Sequence, residues 1–133
     1  MPPMAAFPEN LSGVTFTQPV LLLEVDHAGR WIGFNAAQND VYLKKREEQL
    51  NNCPTGSYDV VLKSAGLFHG SFSDYPLLSA SNKSTETEVA LHNLRLTQSF
   101  VLAFLDKHLK HAKEPLLDGG QNRAEATVKR YGR

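Results

Sequence analysis

The 133-residue sequence is poor in cysteine, has no excess charge of either sign and contains no long apolar run. Its single cysteine, Cys53, cannot form an internal disulfide or a zinc site built from several cysteines, which excludes a disulfide-stapled scaffold. Basic and acidic residues both number 14, so the basic excess that binds nucleic acids and anionic membranes is missing. No apolar run approaches the ~20 residues of a membrane-spanning helix, so no transmembrane segment is predicted.

The amino terminus also lacks the features of a targeting segment. Residues 1–8 have neither the basic region nor the long apolar region of a secretory signal. Together with the single cysteine, this favours a reducing, cytoplasmic compartment. Prolines punctuate residues 1–18, which are therefore predicted to form a loop.

Apolar patterning predicts a single α/β domain over residues 19–113. A continuous apolar run, as opposed to an alternating one, is typical of a strand covered on both faces in a parallel sheet. The predicted elements are a strand at 19–25, a helix at 35–50, a strand at 58–62, a loop at 65–78 and a helix at 87–113. Residues 114–133 are expected to form a polar tail that is frayed over 119–133.

Two strands and two helices cannot cover both faces and both edges of a parallel sheet. One solution is a small non-catalytic binding module whose sheet is completed by homodimerisation. The other is the end of a longer α/β protein, which predicts poor stability alone and exposed strand edges.

Two residues at the predicted strand ends could act together in catalysis. Asp26 follows the first strand, and His69 lies in a glycine-flanked loop after the second. Because the carboxyl ends of neighbouring parallel strands meet at one edge of a sheet, we expect Asp26 and His69 to emerge side by side. A carboxylate beside an imidazole fixes its tautomer and stabilises the imidazolium, as in a catalytic triad. A loop histidine and a turn aspartate are also common without any catalytic function.

The segment 65–78 resembles the histidine loop of α/β hydrolases related to platelet-activating-factor acetylhydrolase. In that loop a strand is followed by His-x-x-Phe-x-Asp and an apolar pair, and His69, Phe72 and Asp74 match the pattern. Residues 103–109 are similar to the family's closing helix, and 19–23 resemble its penultimate core strand; the resemblance covers about 15–112. It implies a partial α/β-hydrolase fold: the last two parallel strands, the intervening helix and the closing C-terminal helix.

The resemblance also implies residue functions. His69 would be the general base that activates a serine nucleophile and then protonates the leaving alcohol. Phe72 and Asp74 would shape the loop, Phe72 by packing and Asp74 by hydrogen bonding to nearby backbone amides. The family's own acid follows the preceding strand and would fall upstream of Met1, whereas Asp26 occupies the position used in many other α/β hydrolases. Which acid partners His69 therefore stays open.

The sequence departs from the family in one important respect: it contains no Gly-x-Ser-x-Gly. Gly70-Ser71-Phe72 lies inside the histidine loop and is not the strand–turn–helix elbow that exposes a nucleophile. We therefore expect the C-terminal segment of an esterase or lipase that is inactive alone: a truncated reading frame, a pseudoenzyme remnant or one chain of a split enzyme. Only when completed, for example by a complementing chain, would it act on a short-acyl ester or lipid. No cofactor is implied, and His108 and His111 are interpreted as surface residues of a helix end and not as metal ligands.

Overall fold

The computed structural model describes residues 16–26, 35–80, 84–119 and 124–132. These residues form two compact units. The sheet unit comprises 21–26 and 58–130, and the helical unit comprises the described part of 1–20, 27–57 and 131–133. In chain order the regular elements are β1 (Leu21–Val25), α1 (Ala36–Asn51), β2 (Ser57–Leu62), a 3-10 helix (His69–Phe72), α2 (Tyr75–Ser79), α3 (Ser84–Lys110), α4 (Pro115–Asp118) and β3 (Ala126–Tyr131).

The sheet is mixed and has the strand order β1-β2-β3. β1 and β2 are parallel, and their register runs from Leu21 opposite Tyr58 to Val25 opposite Leu62. On the other side of β2, the Lys63 amide donates a 2.8 Å hydrogen bond to the carbonyl of Glu125, which places the end of β2 beside the start of β3. β3 is therefore antiparallel to β2. The predicted α/β content and the parallel pair of strands are confirmed.

The core of the sheet unit lies between β2 and α3. Tyr58, Val60 and Leu62 have no exposed surface, and they alternate along β2 so that all three lie on one face. The wholly buried Phe100 of α3 belongs to the same apolar cluster, together with Leu117 of α4. Burial of each such apolar side chain stabilises the folded state by about 1.5–3 kcal/mol, because its surface is removed from water.

β1 differs from the prediction of a strand covered on both faces. All five of its residues are half-buried, and in the described part of the chain β2 is the only strand beside it. Leu21 and Leu23 pack against the core cluster. The apolar run thus forms an edge strand, and β2 is the central, buried one.

The prediction of a frayed segment over 119–133 is wrong for β3, which occupies Ala126–Tyr131. Ala126 is buried and Val128 packs on the core cluster, while Lys129 and Arg130 are exposed. Charged residues are common on sheet edges, where they discourage pairing with other chains. These two charged residues made the strand resemble a polar tail in the sequence.

The two long helices match their predicted positions to within a few residues. α1 begins with a capping box in which the Asn35 side chain accepts a hydrogen bond from the Gln38 amide, and the Gln38 side chain accepts one from the Asn35 amide. α3 has 27 residues, and the basic residues in its last turn interact favourably with the negative end of the helix dipole. No helix in the described ranges is both long enough and apolar enough to cross a bilayer.

Candidate functional site

The ends of β1 and β2 are joined at the edge of the sheet where catalytic residues were predicted. The Asp26 amide, directly after β1, donates a 2.9 Å hydrogen bond to the carbonyl of Leu62, the last residue of β2. Asp26 itself is exposed. The chain therefore leaves both strands at one edge, and the loop that carries His69 begins there. The His69 imidazole lies outside the part of the chain that the structure describes, so its pairing with Asp26 stays a prediction.

The loop between β2 and His69 is fastened to α3 by Asn93. The Ser64 hydroxyl donates a 2.6 Å hydrogen bond to Asn93 Oδ1, and Asn93 Nδ2 donates a 3.1 Å hydrogen bond to the Ala65 carbonyl. Gly66 follows with a φ of 75°, a left-handed conformation that favours glycine. A Cβ atom at Gly66 would lie 2.9 Å from Cγ1 of Val89, so the loop passes directly against α3.

The 3-10 helix that begins at His69 is closed by a reciprocal pair of hydrogen bonds. The Phe68 amide donates to Ser71 Oγ at 3.1 Å, and the Ser71 amide donates to the Phe68 carbonyl at 2.8 Å. These two residues lie on either side of His69 along the chain. Ser71 is only 3% exposed, and its hydroxyl is used by the Phe68 amide. Its geometry is that of a structural serine and not of an exposed nucleophile.

Of the predictions for the two other residues of the histidine-loop pattern, one agrees with the structure and one does not. Phe72 is half-buried and packs against the core cluster, as predicted. The prediction for Asp74 is wrong, because its side chain makes no capping hydrogen bond; the Leu77 amide bonds instead to the Asp74 backbone carbonyl. The neighbouring Ser73 hydroxyl performs the expected task, since it accepts from the Tyr75 amide at 3.2 Å.

A cleft of about 330 Å³ lies beside this loop. Its lining is mainly apolar and includes Phe68, Pro76, Val89 and Ala90, with Glu86 as an acidic group. Its volume is at the lower end of the range found for small-molecule sites. The cleft can hold a small hydrocarbon group close to the segment that carries His69.

Three further residues with reactive side chains are His108, His111 and Cys53. The His108 ring contacts the Phe104 ring, with their centroids 4.6 Å apart, and His111 follows the end of α3 with a φ of 54°. In the described ranges, no cluster of three or more His, Cys, Asp or Glu side chains could hold a metal ion. Cys53 is buried, and burial raises the pKa of its thiol despite a hydrogen bond with Ser57, which disfavours a nucleophilic thiolate.

Sequence reasoning missed two polar arrangements. The Tyr58 hydroxyl donates a 2.6 Å hydrogen bond to Asp118 Oδ1, and Lys107 Nζ lies 2.7 Å from Asp118 Oδ2. His92 Nε2 lies 2.9 Å from both carboxylate oxygens of Glu125, in an exposed position. Their members are separated by 11 to 60 residues, and no local sequence pattern links them.

The Tyr58–Asp118–Lys107 network shifts the pKa of each member. Burial would raise the pKa of Asp118, but hydrogen bonds from Lys107 and Tyr58 outweigh it and hold the pKa below its ordinary value of 3.8. Burial, and then the hydrogen bond to Asp118, raises the pKa of Tyr58. The hydrogen bond to Asp118 raises the pKa of Lys107. Asp118 is therefore an anion held by two donors, a structural arrangement that fastens α4 to β2 and α3.

Comparisons with protein-family models, curated proteins and solved structures find no match to this chain.

Proposed function

We propose that this chain is the C-terminal, histidine-bearing segment of a serine-dependent carboxylic-ester hydrolase, in which His69 is the general base and Asp26 the acid that orients it. The observation that carries the proposal is the parallel, in-register pairing of β1 and β2, with the Asp26 amide bonded to the Leu62 carbonyl. This pairing brings Asp26 and the His69 loop to one edge of the sheet. The apolar cleft beside the loop suits the hydrocarbon part of an ester.

The proposed chemistry is acyl transfer through a serine. As the serine oxygen attacks the ester carbonyl, His69 takes the hydroxyl proton and then gives it to the departing alcohol oxygen. Asp26 holds the imidazole in the required tautomer and stabilises its protonated form. Because these 133 residues contain no Gly-x-Ser-x-Gly, the proposed reaction takes its nucleophile and its oxyanion-hole amides from residues outside them. Loss of the nucleophile costs roughly 10⁶-fold in kcat in a serine hydrolase, so the chain alone is an inefficient catalyst.

The experiment measures hydrolysis of p-nitrophenyl acetate by the purified chain and its reaction with a fluorophosphonate serine probe. We expect slow hydrolysis that falls to the buffer rate in His69→Ala and decreases in Asp26→Asn. Asp74→Asn and His111→Ala, which alter an exposed carboxylate and an exposed imidazole, are the matched controls and should leave the rate unchanged. The fluorophosphonate probe should give no His69-dependent labelling.

Two results would overturn parts of the proposal. If His69→Ala leaves the slow hydrolysis unchanged, His69 is not a general base. If strong fluorophosphonate labelling disappears in His69→Ala, a serine of this chain acts as the nucleophile and the chain is a hydrolase on its own. The second result would retain the reaction but remove the need for a complementing chain.

A second candidate function is a non-catalytic module that completes its sheet by homodimerisation. It is favoured by the half-buried, apolar β1 at the edge of the described sheet. Light scattering across a range of concentrations tests it. This function predicts a discrete dimer that Leu22→Lys in β1 dissociates, whereas Leu109→Lys, at an exposed position of α3, leaves it intact. A monomer at all concentrations would exclude it.

A further inference from the structure

Asn93 lies on the buried face of α3, where apolar residues would be expected. Ala90, Thr97 and Phe100, at helical spacing along the same face, are also buried. The Asn93 side chain is 2% exposed. Because burial of an amide without hydrogen-bond partners costs free energy, an asparagine here needs polar partners from another segment.

The segment that follows β2 forms hydrogen bonds with both the oxygen and the nitrogen of the Asn93 side-chain amide. Its oxygen accepts from the Ser64 hydroxyl at 2.6 Å, and its nitrogen donates to the Ala65 carbonyl at 3.1 Å. Within the segment itself, the Leu67 amide reaches the Ser64 carbonyl only at 3.4 Å, a weak contact. Asn93 therefore supplies two side-chain hydrogen bonds that hold Ser64 and Ala65 in place.

The segment held by Asn93 leads directly to His69. Ala65 precedes His69 by four residues, and Gly66, between them, lies against α3. On the far side, the hydrogen bonds between Phe68 and Ser71 close the 3-10 helix. The backbone at His69 is thus fixed from both directions along the chain.

We infer that Asn93 is a positioning residue for His69. It acts through the backbone of 64–68 and so fixes the backbone position of His69. The inference rests on the proposed function, since it specifies how this chain holds the general base. General-base catalysis needs heavy-atom contacts within a few tenths of an ångström, so a loosened loop would lower the rate without removal of any reacting group.

The experiment follows the rate at which diethyl pyrocarbonate acylates His69, read by peptide mass spectrometry with the exposed His111 as an internal reference. Asn93→Leu removes both hydrogen bonds and keeps the number and branching of the side-chain heavy atoms. The matched control is Thr97→Val: Thr97 is also polar and buried on this face, but its hydroxyl bonds only to the backbone carbonyl of Asn93, within α3. We expect Asn93→Leu to change the His69 rate several-fold relative to His111, and Thr97→Val to leave it unchanged.

Two milder variants keep the inference testable if Asn93→Leu fails to fold. Asn93→Asp retains the acceptor for Ser64 and loses the donor for Ala65, and Ser64→Ala removes the opposite bond. Each should give a smaller change in the His69 rate than Asn93→Leu, in a protein whose circular dichroism matches that of the wild type. An unchanged ratio of His69 to His111 acylation in folded Asn93→Asp and Ser64→Ala would overturn the inference.

The result separates this inference from the proposed function. If the slow ester hydrolysis depends on His69 but is insensitive to the Asn93 variants, positioning by Asn93 fails and the general base stands. If hydrolysis is independent of His69 while the Asn93 variants still alter His69 acylation, the proposed function fails and the loop anchor stands.

Discussion

The hydroxyl of Tyr58 donates a 2.6 Å hydrogen bond to Oδ1 of Asp118, across 60 residues of sequence. Tyr58 is a wholly buried residue of β2, and Asp118 is the last residue of α4. Lys107 of α3 donates to the same carboxylate at 2.7 and 3.0 Å. One carboxylate therefore connects three elements of the sheet unit, at a position where the polar end of a buried tyrosine needs a partner.

Removal of the Tyr58 hydroxyl should measure the strength of this connection. Tyr58→Phe keeps the buried ring but takes one donor from Asp118, and a hydrogen bond to a charged group contributes about 1.5–3 kcal/mol. We expect the free energy of unfolding in urea to fall by about that amount. Tyr75→Phe is the matched control, because Tyr75 is 59% exposed and loss of its hydroxyl should be nearly neutral. Equal effects of the two substitutions would contradict a stabilising bond between Tyr58 and Asp118.

The same network predicts how stability depends on acidity. The pKa of Asp118 is lower in the folded chain than its ordinary value of 3.8, so its stabilising contribution is complete above about pH 4 and is lost as the pH falls through the folded pKa. We expect the stability difference between the wild type and Asp118→Asn to shrink as the pH falls below about 4. Urea unfolding at a series of pH values measures it, with Asp40→Asn at an exposed position of α1 as the control for loss of one acidic group. A difference that stays constant down to pH 2 would argue against an ionised, hydrogen-bonded Asp118.

The elements that could be predicted from sequence are those with strong local patterning. The apolar run before Asp26 and the helix-spaced apolar residues of α3 identify their elements without reference to the rest of the chain. β3 could not be identified in this way, because its exposed Lys129 and Arg130 match a polar tail as well as an edge strand.

The polar contacts around the candidate site were not predicted. His69 and Asp26 were proposed because each follows a predicted strand, and parallel strands end at one edge. Asn93 is 29 residues from Ser64, and only the packing of α3 brings them together. The prediction for Asp74 failed because two adjacent residues could both supply an oxygen to the same turn, and the backbone conformation favoured Ser73.

Ser71 offers a test of the 3-10 helix that carries His69. Ser71→Ala leaves the Phe68 amide without its hydroxyl acceptor, and we expect a loss of about 1 kcal/mol in the free energy of unfolding. Ser99→Ala is the matched control, because the Ser99 hydroxyl bonds only to the Leu96 carbonyl within α3, and alanine favours a helix. Fluorophosphonate labelling should be absent in the wild type and in Ser71→Ala. Labelling that Ser71→Ala removes would identify Ser71 as a nucleophile and contradict its structural function.

Gly66 should be the least tolerant position of the histidine loop, for two separable reasons. Its φ of 75° costs a residue with a Cβ atom about 1–2 kcal/mol, and the added Cβ would lie 2.9 Å from Cγ1 of Val89. Gly66→Ala should therefore lower the free energy of unfolding by about 1–3 kcal/mol, while Gly119→Ala, at an exposed glycine with a φ of −66°, should not.

A double-mutant cycle separates the two contributions. In a Val89→Ala background the steric part of the Gly66→Ala penalty disappears, because the atom that the new Cβ would meet is gone, whereas the backbone part remains. We therefore expect a smaller but still measurable penalty in that background by urea unfolding. An undiminished penalty would mean that the loop does not pass against Val89. It would then contradict the close approach of the His69 segment to α3.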